Sequence, residues 1–336
     1  MGSKATLKQL SEILGISIST VSRALKDHPD IADLTKQKVR ELADMLQYEP
    51  NALAVQLRTN ASSLIGVIVP EVSGFFYHSF ISGLESEARS WGYSLMILQS
   101  NNSTETEASN LKICRFNRTA GILVALSTRT TDLKPFDRTR DAGTPIVFFD
   151  KVPDEADYPK VTISDSDAGF HAADAILRSG SKNVLALFGD PALSITRNRM
   201  KAFKAAFANH SPGTNLQITH APSQADAERI AGSLKDMGAE RPDTVFCMSD
   251  EILVGVMAAL NGTDIDIPEE LSILALSNGF FPTLFKPVIS YVETSGESLG
   301  RKAFEILHRC MEGDPPSGET TVAARFVPGG SLRSGG

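Results

Sequence analysis

The stretch TLKQLSEILGISISTVSRAL, Thr6 to Leu25, reads as two short helices and a turn, and its second half decides what kind of protein this is. Leu7, Leu10, Ile13 and Leu14 recur at helical spacing behind Thr6, a residue suited to capping a helix start. Gly15 follows, and glycine accepts the positive φ of a tight exit from a helix. Ser17 is suited to capping a second helix, in which Val21, Ala24 and Leu25 share an apolar face. Ile18, Ser19, Ser22 and Arg23 point the other way. Small hydroxyl residues let a helix axis approach a groove floor. Arginine can read guanine O6 and N7 together, and hydroxyls bond phosphates or base edges. Two helices joined by a short turn containing glycine form the helix-turn-helix arrangement. A generic helical hairpin has the same apolar spacing, so this stretch alone leaves both readings open.

Bulk properties narrow the setting. A chain of 336 residues, 42% of them hydrophobic, has length for two to three domains with substantial cores. The formal charge of −7 argues against an indiscriminate polyanion binder. The charge is uneven: residues 1–60 hold eight Lys and Arg against seven Asp and Glu, so the acidity lies in the remainder. A near-neutral head on an acidic body fits a small DNA-contacting module attached to something with another task. No run of eighteen apolar residues predicts a membrane span, and MGSKATLKQLSEILG lacks the pattern of a secretory signal, so a cytoplasmic protein is expected. Cys114, Cys247 and Cys310 are far apart among apolar residues and read as buried thiols rather than metal ligands or disulfides.

The segment after the first two helices adds weight to the DNA reading. DLTKQKVRELADMLQY places Val39, Leu42, Ala43 and Leu46 at the spacing of a third helix, which closes a small core. Pro50 then ends one element, Asn51 can cap another, and Ala52 to Arg58 would make a helix of about two turns. A helix that short is marginal in water by itself.

These pieces resemble the LacI/GalR family of bacterial transcriptional regulators. The resemblance rests on TLKQLSEILGISISTVSRAL, on YEPNALAVQLRT and on IGVIVPEVSGFF, and it runs without gaps through headpiece and hinge. It implies that the second helix enters the major groove, with Ile18, Ser19 and Arg23 at the base-reading positions. Thr6, Ser17, Thr20, Ser22 and Lys26 match phosphate contacts. It further implies a hinge helix in the minor groove, where Leu57, beside Asn51 and Ala54, wedges a central base step. Taken without the headpiece, Leu57 would read as an ordinary core leucine and Arg23 as a solvated charge.

From Leu64 the pattern alternates. The strand-like runs LIGVIVP, SLMILQS, GILVAL, PIVFFD, VTISD, NVLALFG, LQITHAP, TVFCMSD and LSILALS are mostly separated by helical ones, such as Thr104–Phe116, Arg199–Asn209 and Glu251–Leu260. Such alternation predicts parallel sheets covered on both faces. The expected fold class is α/β: a helix-turn-helix headpiece over residues 1–48, a hinge over 49–61, and two Rossmann-like lobes over 62–336. The first lobe would take residues 62–160 and 292–321, and the second 161–291 and 322–336. There is no G-x-G-x-x-G after the first strand, no P-loop and no G-x-S-x-G. The six histidines show no zinc spacing, and Asp165 with Asp167 reads as turn and N-cap residues. No enzyme, metal or cofactor is expected.

In open α/β sheets, ligands sit at the carboxyl ends of strands, so two facing lobes predict a site in the cleft between them. The strand ends include Asp150, Ser277 and Asn278. The body resembles the family's periplasmic-binding-protein-like core, which implies pocket roles for Phe75, Phe76, Arg199, Ser249 and Asp250. The chain departs from the family's sugar-binding members at Ser277, where they usually carry an aspartate that takes two sugar hydroxyls. A serine is no bidentate charged acceptor. With Arg197 and Arg199 in a pocket short of carboxylates, an anionic effector, a sugar acid or sugar phosphate, competes with a neutral sugar. The expected partners are operator DNA of pseudo-palindromic sequence, a small-molecule effector and a second copy of the chain, since two headpieces must meet two half-sites. No leucine heptad follows the body, so a tetramer-forming tail is not expected. The competing classes are a transporter's solute-binding protein, which would need a signal peptide, and an α/β enzyme, which would need a convergent acid, base or nucleophile.

Overall fold

The computed structural model describes residues 5–48, 62–73, 75–154, 157–210 and 213–333. The chain divides into two compact units, residues 1–62 and 63–336. In the first, helices α1 (Leu7–Leu14), α2 (Ile18–Leu25) and α3 (Asp33–Met45) enclose Leu10, Val21, Ala24, Val39 and Ala43. Local chemistry sets each boundary. Thr6 and Gln9 form a reciprocal capping box at the start of α1, and Gly15 closes that helix at φ +65°. Ser17 caps α2 by accepting from the Thr20 amide. Asp27 joins α2 to α3: its carboxylate meets Lys36 at 3.2 Å and Arg40 at 2.9 Å.

The second unit holds two lobes. Among the described residues its strands form two six-stranded sheets. The first contains β1 (Leu64–Val69), β2 (Ser94–Gln99), β3 (Gly121–Val124), β4 (Ile146–Phe149), β5 (Lys160–Ile163) and β11 (Glu319–Val322), ordered β11-β5-β4-β3-β1-β2 and all parallel. The second contains β6 (Asn183–Phe188), β7 (Asn215–His220), β8 (Thr244–Cys247), β9 (Ser272–Ser277), β10 (Ser290–Glu293) and β12 (Arg325–Val327). Its order, β12-β10-β9-β8-β6-β7, repeats the first sheet's, but β12 runs antiparallel to β10. The central strands β3, β4, β8 and β9 are buried throughout and therefore read as apolar runs, while the edge strand β2 is only partly buried. Among the described residues no helix is long and apolar enough to cross a membrane.

The chain leaves the first sheet after Ile163 and the second after Glu293, a few residues beyond the approximate crossings expected. The short strands β10, β11 and β12 stand outside the apolar runs that marked the other nine. Cys114 and Cys247 are buried as expected, but Cys310 is half-buried.

Helices cover both sheets and start where strands stop. They include α4 (Phe75–Ser90), α5 (Thr104–Phe116), α6 (Lys134–Asp141), α7 (Asp165–Arg178), α8 (Ser194–His210), α9 (Gln224–Ala231), α10 (Asp250–Leu260) and α11 (Gly296–Met311). Serines cap five of them, Ser103, Ser164, Ser223, Ser249 and Ser295, each accepting from the amide three residues on. Close approach of α7 to α8 requires Gly169, where an added Cβ would lie 2.3 Å from the Arg199 carbonyl oxygen. Backbone cannot swing aside as a side chain can. Gly169→Ala is expected to destabilise the body by about 1–3 kcal/mol and lower its melting temperature. Gly232→Ala, at a site with no atom within 4 Å of the new methyl, is the control and should leave melting unchanged.

Candidate functional site: a nucleic-acid-reading helix and an interlobe cleft

On the first unit, α2 presents the polar face anticipated from its spacing. Val21 and Ala24 are buried on one side; Ile18, Ser19 and Arg23 are exposed on the other, with Ile18 47% accessible. Ser17 Oγ lies 2.7 Å from the Ser19 hydroxyl and 2.8 Å from that of Thr20. Neither α1 nor α2 carries an acidic residue in its first turn, so the positive end of each helix dipole is left without a local carboxylate. Thr6 accepts from the Gln9 amide at 3.2 Å through a lone pair. Its hydroxyl proton remains able to donate to an anion. Thr20 and Ser22 are half-buried, and Lys26 follows α2 as its exposed C-cap. The expected hinge contacts Asn51, Ala54 and Leu57 lie outside the described residues.

On the second unit, strand ends from both lobes enclose a cavity of about 320 Å³. Of the eight effector residues expected, Phe76, Asp150, Arg199, Ser249, Asp250 and Asn278 line it. Phe75 and Ser277 do not. Phe75 packs its ring on Phe281 of the other lobe, with centroids 4.1 Å apart, and its carbonyl accepts from Asn278 Nδ2 at 3.2 Å. Ser277 lies beneath the wall and donates to Asp250 Oδ1 at 2.5 Å, while the Asn278 amide donates to Oδ2 at 3.1 Å. Arg197 is directed away from the cavity and meets Asp154 of the first lobe at 3.3 Å.

The expectation of a cavity short of carboxylates is overturned. Glu71, Asp150, Asp190, Asp250 and Glu251 line it against two cations, Lys151 and Arg199. Arg199 is already engaged: its Nε donates to Asp165 Oδ1 at 2.9 Å and its Nη1 to the Met248 carbonyl at 3.4 Å. Asp165 is therefore not the N-cap of its helix. Ser164 fills that role, and Asp165 is the arginine's buried partner. Asp150, held at φ +56°, accepts from Tyr77 Oη at 2.7 Å. Single-position reasoning about Ser277 missed that this serine supports a carboxylate arriving from another strand end. It also missed Tyr77, Glu251 and Thr196, whose only sequence signal is proximity to strand ends.

Burial controls protonation here. It pushes Asp250 up to about 6, against the opposing pull of the Ser277 and Asn278 donors. Burial likewise raises Asp150, opposed by Lys151 and by the Tyr77 hydrogen bond, and Asp165, opposed by Arg199. In each case the carboxyl binds its proton more tightly in the folded chain than in the unfolded one.

Two features thus define the class of protein: a helix whose hydroxyl and arginine face suits the DNA major groove, and a two-lobed body that encloses a small-molecule cavity. Residues 6–51 match the model of bacterial regulatory proteins of the lacI family, and residues 173–332 match that of the periplasmic binding protein-like domain. The HTH-type transcriptional repressor PurR of Vibrio atlanticus is 28% identical over 305 residues, covering 90% of this chain and 91% of that protein. Catabolite control protein A of Priestia megaterium is 25% identical over 310 residues, 91% of this chain and 92% of that one. A lac repressor dimer, solved bound to operator and the anti-inducer ONPF, superposes with a TM-score of 0.86 at 17% identity, covering 98% of this chain and all of that one. The chain joins a lacI-family helix-turn-helix domain to a periplasmic-binding-protein-like domain, the architecture of a DNA-binding, ligand-binding transcriptional regulator. These relatives are regulators rather than enzymes.

A carboxyl whose pKa is raised by folding weakens the folded state as it ionises. The Asp250 contribution is absent below about pH 4 and complete above about 6, with a loss on the order of 2–3 kcal/mol. Urea unfolding of the wild type is therefore expected to show a steeper fall in stability across that interval than Asp250→Asn; parallel pH profiles for the two proteins would contradict this.

Proposed function

We propose that this protein is a cytoplasmic repressor that binds, as a homodimer, a pseudo-palindromic operator, and that a small uncharged polyhydroxylated effector in the interlobe cavity adjusts its operator affinity. The observation that carries the DNA side is the exposed Ile18, Ser19 and Arg23 face over a helix start without acids. Arg23 reads a guanine, Ile18 packs on a thymine methyl, and Ser19 bonds a base edge. Thr6, Ser17, Thr20, Ser22 and Lys26 hold phosphates and set the register. Leu57 wedges the centre of the operator, flanked by Asn51 and Ala54, at a cost of a few kcal/mol in unstacking that the bent duplex returns as contacts. The repressor sign is supported by the relatives that carry that description.

The effector class follows from charge. Five carboxyl groups face two cations, one of which is already paired, so the wall offers little positive charge to an anion and a sugar acid or sugar phosphate is disfavoured. Carboxylates that accept hydroxyl pairs, together with the Phe76 ring and the Arg199 donors, suit a neutral sugar or polyol. Occupation changes the angle between the lobes, and through the hinge the ability of two headpieces to engage DNA together. The coupling required is modest, about 1–3 kcal/mol.

Duplex selection from a random pool, followed by titration at several salt concentrations, tests the DNA reading. Arg23→Ala should lower affinity for the selected site by about 1–3 kcal/mol and relax preference at one base pair. Lys26→Ala should weaken selected and unselected duplexes alike and reduce the salt slope by about one. Failure to enrich any sequence would remove the proposal.

A further inference from the structure

We infer that Thr196 is a specificity-determining residue of the cavity, its hydroxyl reserved for a hydroxyl or ring oxygen of the effector; this rests on the polyhydroxylated-effector reading above. Thr196 lies in the first turn of α8 and lines the cavity. Its side chain is wholly buried, and its Oγ1 has no hydrogen-bond partner. Such atoms are rare among the described residues, because an unsatisfied buried hydroxyl opposes folding. The other two, on Thr119 and Asp243, do not line this cavity.

A threonine in a helix ordinarily satisfies its hydroxyl on a carbonyl three or four residues back. Neither of those carbonyls accepts from Thr196 Oγ1 here. The Leu193 carbonyl accepts from the Arg197 amide at 3.2 Å, and the Ala192 carbonyl accepts from Arg197 Nη1 at 2.5 Å. Oγ1 is therefore left without a partner in a residue that lines the cavity wall. Gly189 keeps the approach open: a Cβ there would stand 3.4 Å from Thr196 Oγ1 and 3.1 Å from Met248 Cε. Arg199, three residues further along the same helix, supplies guanidinium donors to the same cavity. An effector oxygen between the two residues gains a charged donor and a hydroxyl that can donate or accept. An analogue lacking that oxygen leaves the Thr196 hydroxyl unpaired, and sites built in this way discriminate strongly.

The experiment uses the full chain. D-glucose, D-xylose, D-ribose, D-fructose and myo-inositol are titrated calorimetrically into the wild type, Thr196→Val, Thr196→Ser and Gly189→Ala. The melting temperature of each protein is measured without ligand. Thr196→Val should weaken the best-binding probe about tenfold or more while the ligand-free melting temperature is unchanged or higher, since valine removes an unsatisfied polar atom at nearly constant shape. Thr196→Ser should bind within a few-fold of wild type. Gly189→Ala should lose affinity without losing stability, because the flexible Met248 tip can yield to the methyl. Undiminished binding by Thr196→Val, or a ligand-free melting temperature that falls with the affinity, overturns the inference and leaves the effector reading intact. If none of the five probes binds the wild type, the effector reading fails and the inference with it.

Discussion

Parallel strands all stop on the same side of their sheet, and in this body that constraint governs everything polar. The two sheets share one strand order, and the chain passes between them after β5, after β10 and between β11 and β12. Residues that must leave the sheet at a strand end, Pro70 and Glu71 after β1, Asp150 after β4, Met248 to Asp250 after β8 and Asn278 after β9, therefore converge on one cavity from distant parts of the chain. The apolar strands behind them are the core. The site is built from what the core cannot bury.

That placement creates an electrostatic problem which the neighbouring residues partly relieve. Asp250 is 6% exposed, yet it receives a hydroxyl and an amide from the end of β9. Asp150 receives the Tyr77 hydroxyl, and Asp165 an arginine. Burial still dominates all three, so the carboxyls sit in the wall at free-energy expense. A ligand that donates hydroxyl hydrogens completes their bonding, whereas an added anion finds little positive charge in the wall. Contacts across the cleft include Arg197 with Asp154, Asn278 with the Phe75 carbonyl and Phe75 with Phe281.

The head was legible because its signals are local. Thr6, Gly15 and Ser17 each do their work within four residues of sequence, and the face of α2 follows from spacing alone. Strands β1 to β9 were legible as apolar runs for the same reason. Strands β10, β11 and β12 were not, since three or four residues at a lobe crossing are too short for an alternation to stand out and draw their register from the sheets they join. Within the cleft, the list of strand ends was readable but their pairing was not. Ser277 looked like the loss of a carboxylate, and the structure shows a carboxylate resting on it. Asp165 looked like a helix cap because its partner, Arg199, is 34 residues away. Interactions that depend on which strand ends meet are properties of the assembled sheets.

The central claim is that cleft and operator are energetically coupled in one molecule. The direct measurement is a linked pair of titrations: operator duplex into the protein with and without saturating effector, and effector into the protein with and without saturating operator. A coupled regulator must show the same factor in both, on the order of 5- to 150-fold. Tight binding of both ligands with a factor of one in each direction would mean that the cavity does not control DNA binding, and the account would be wrong.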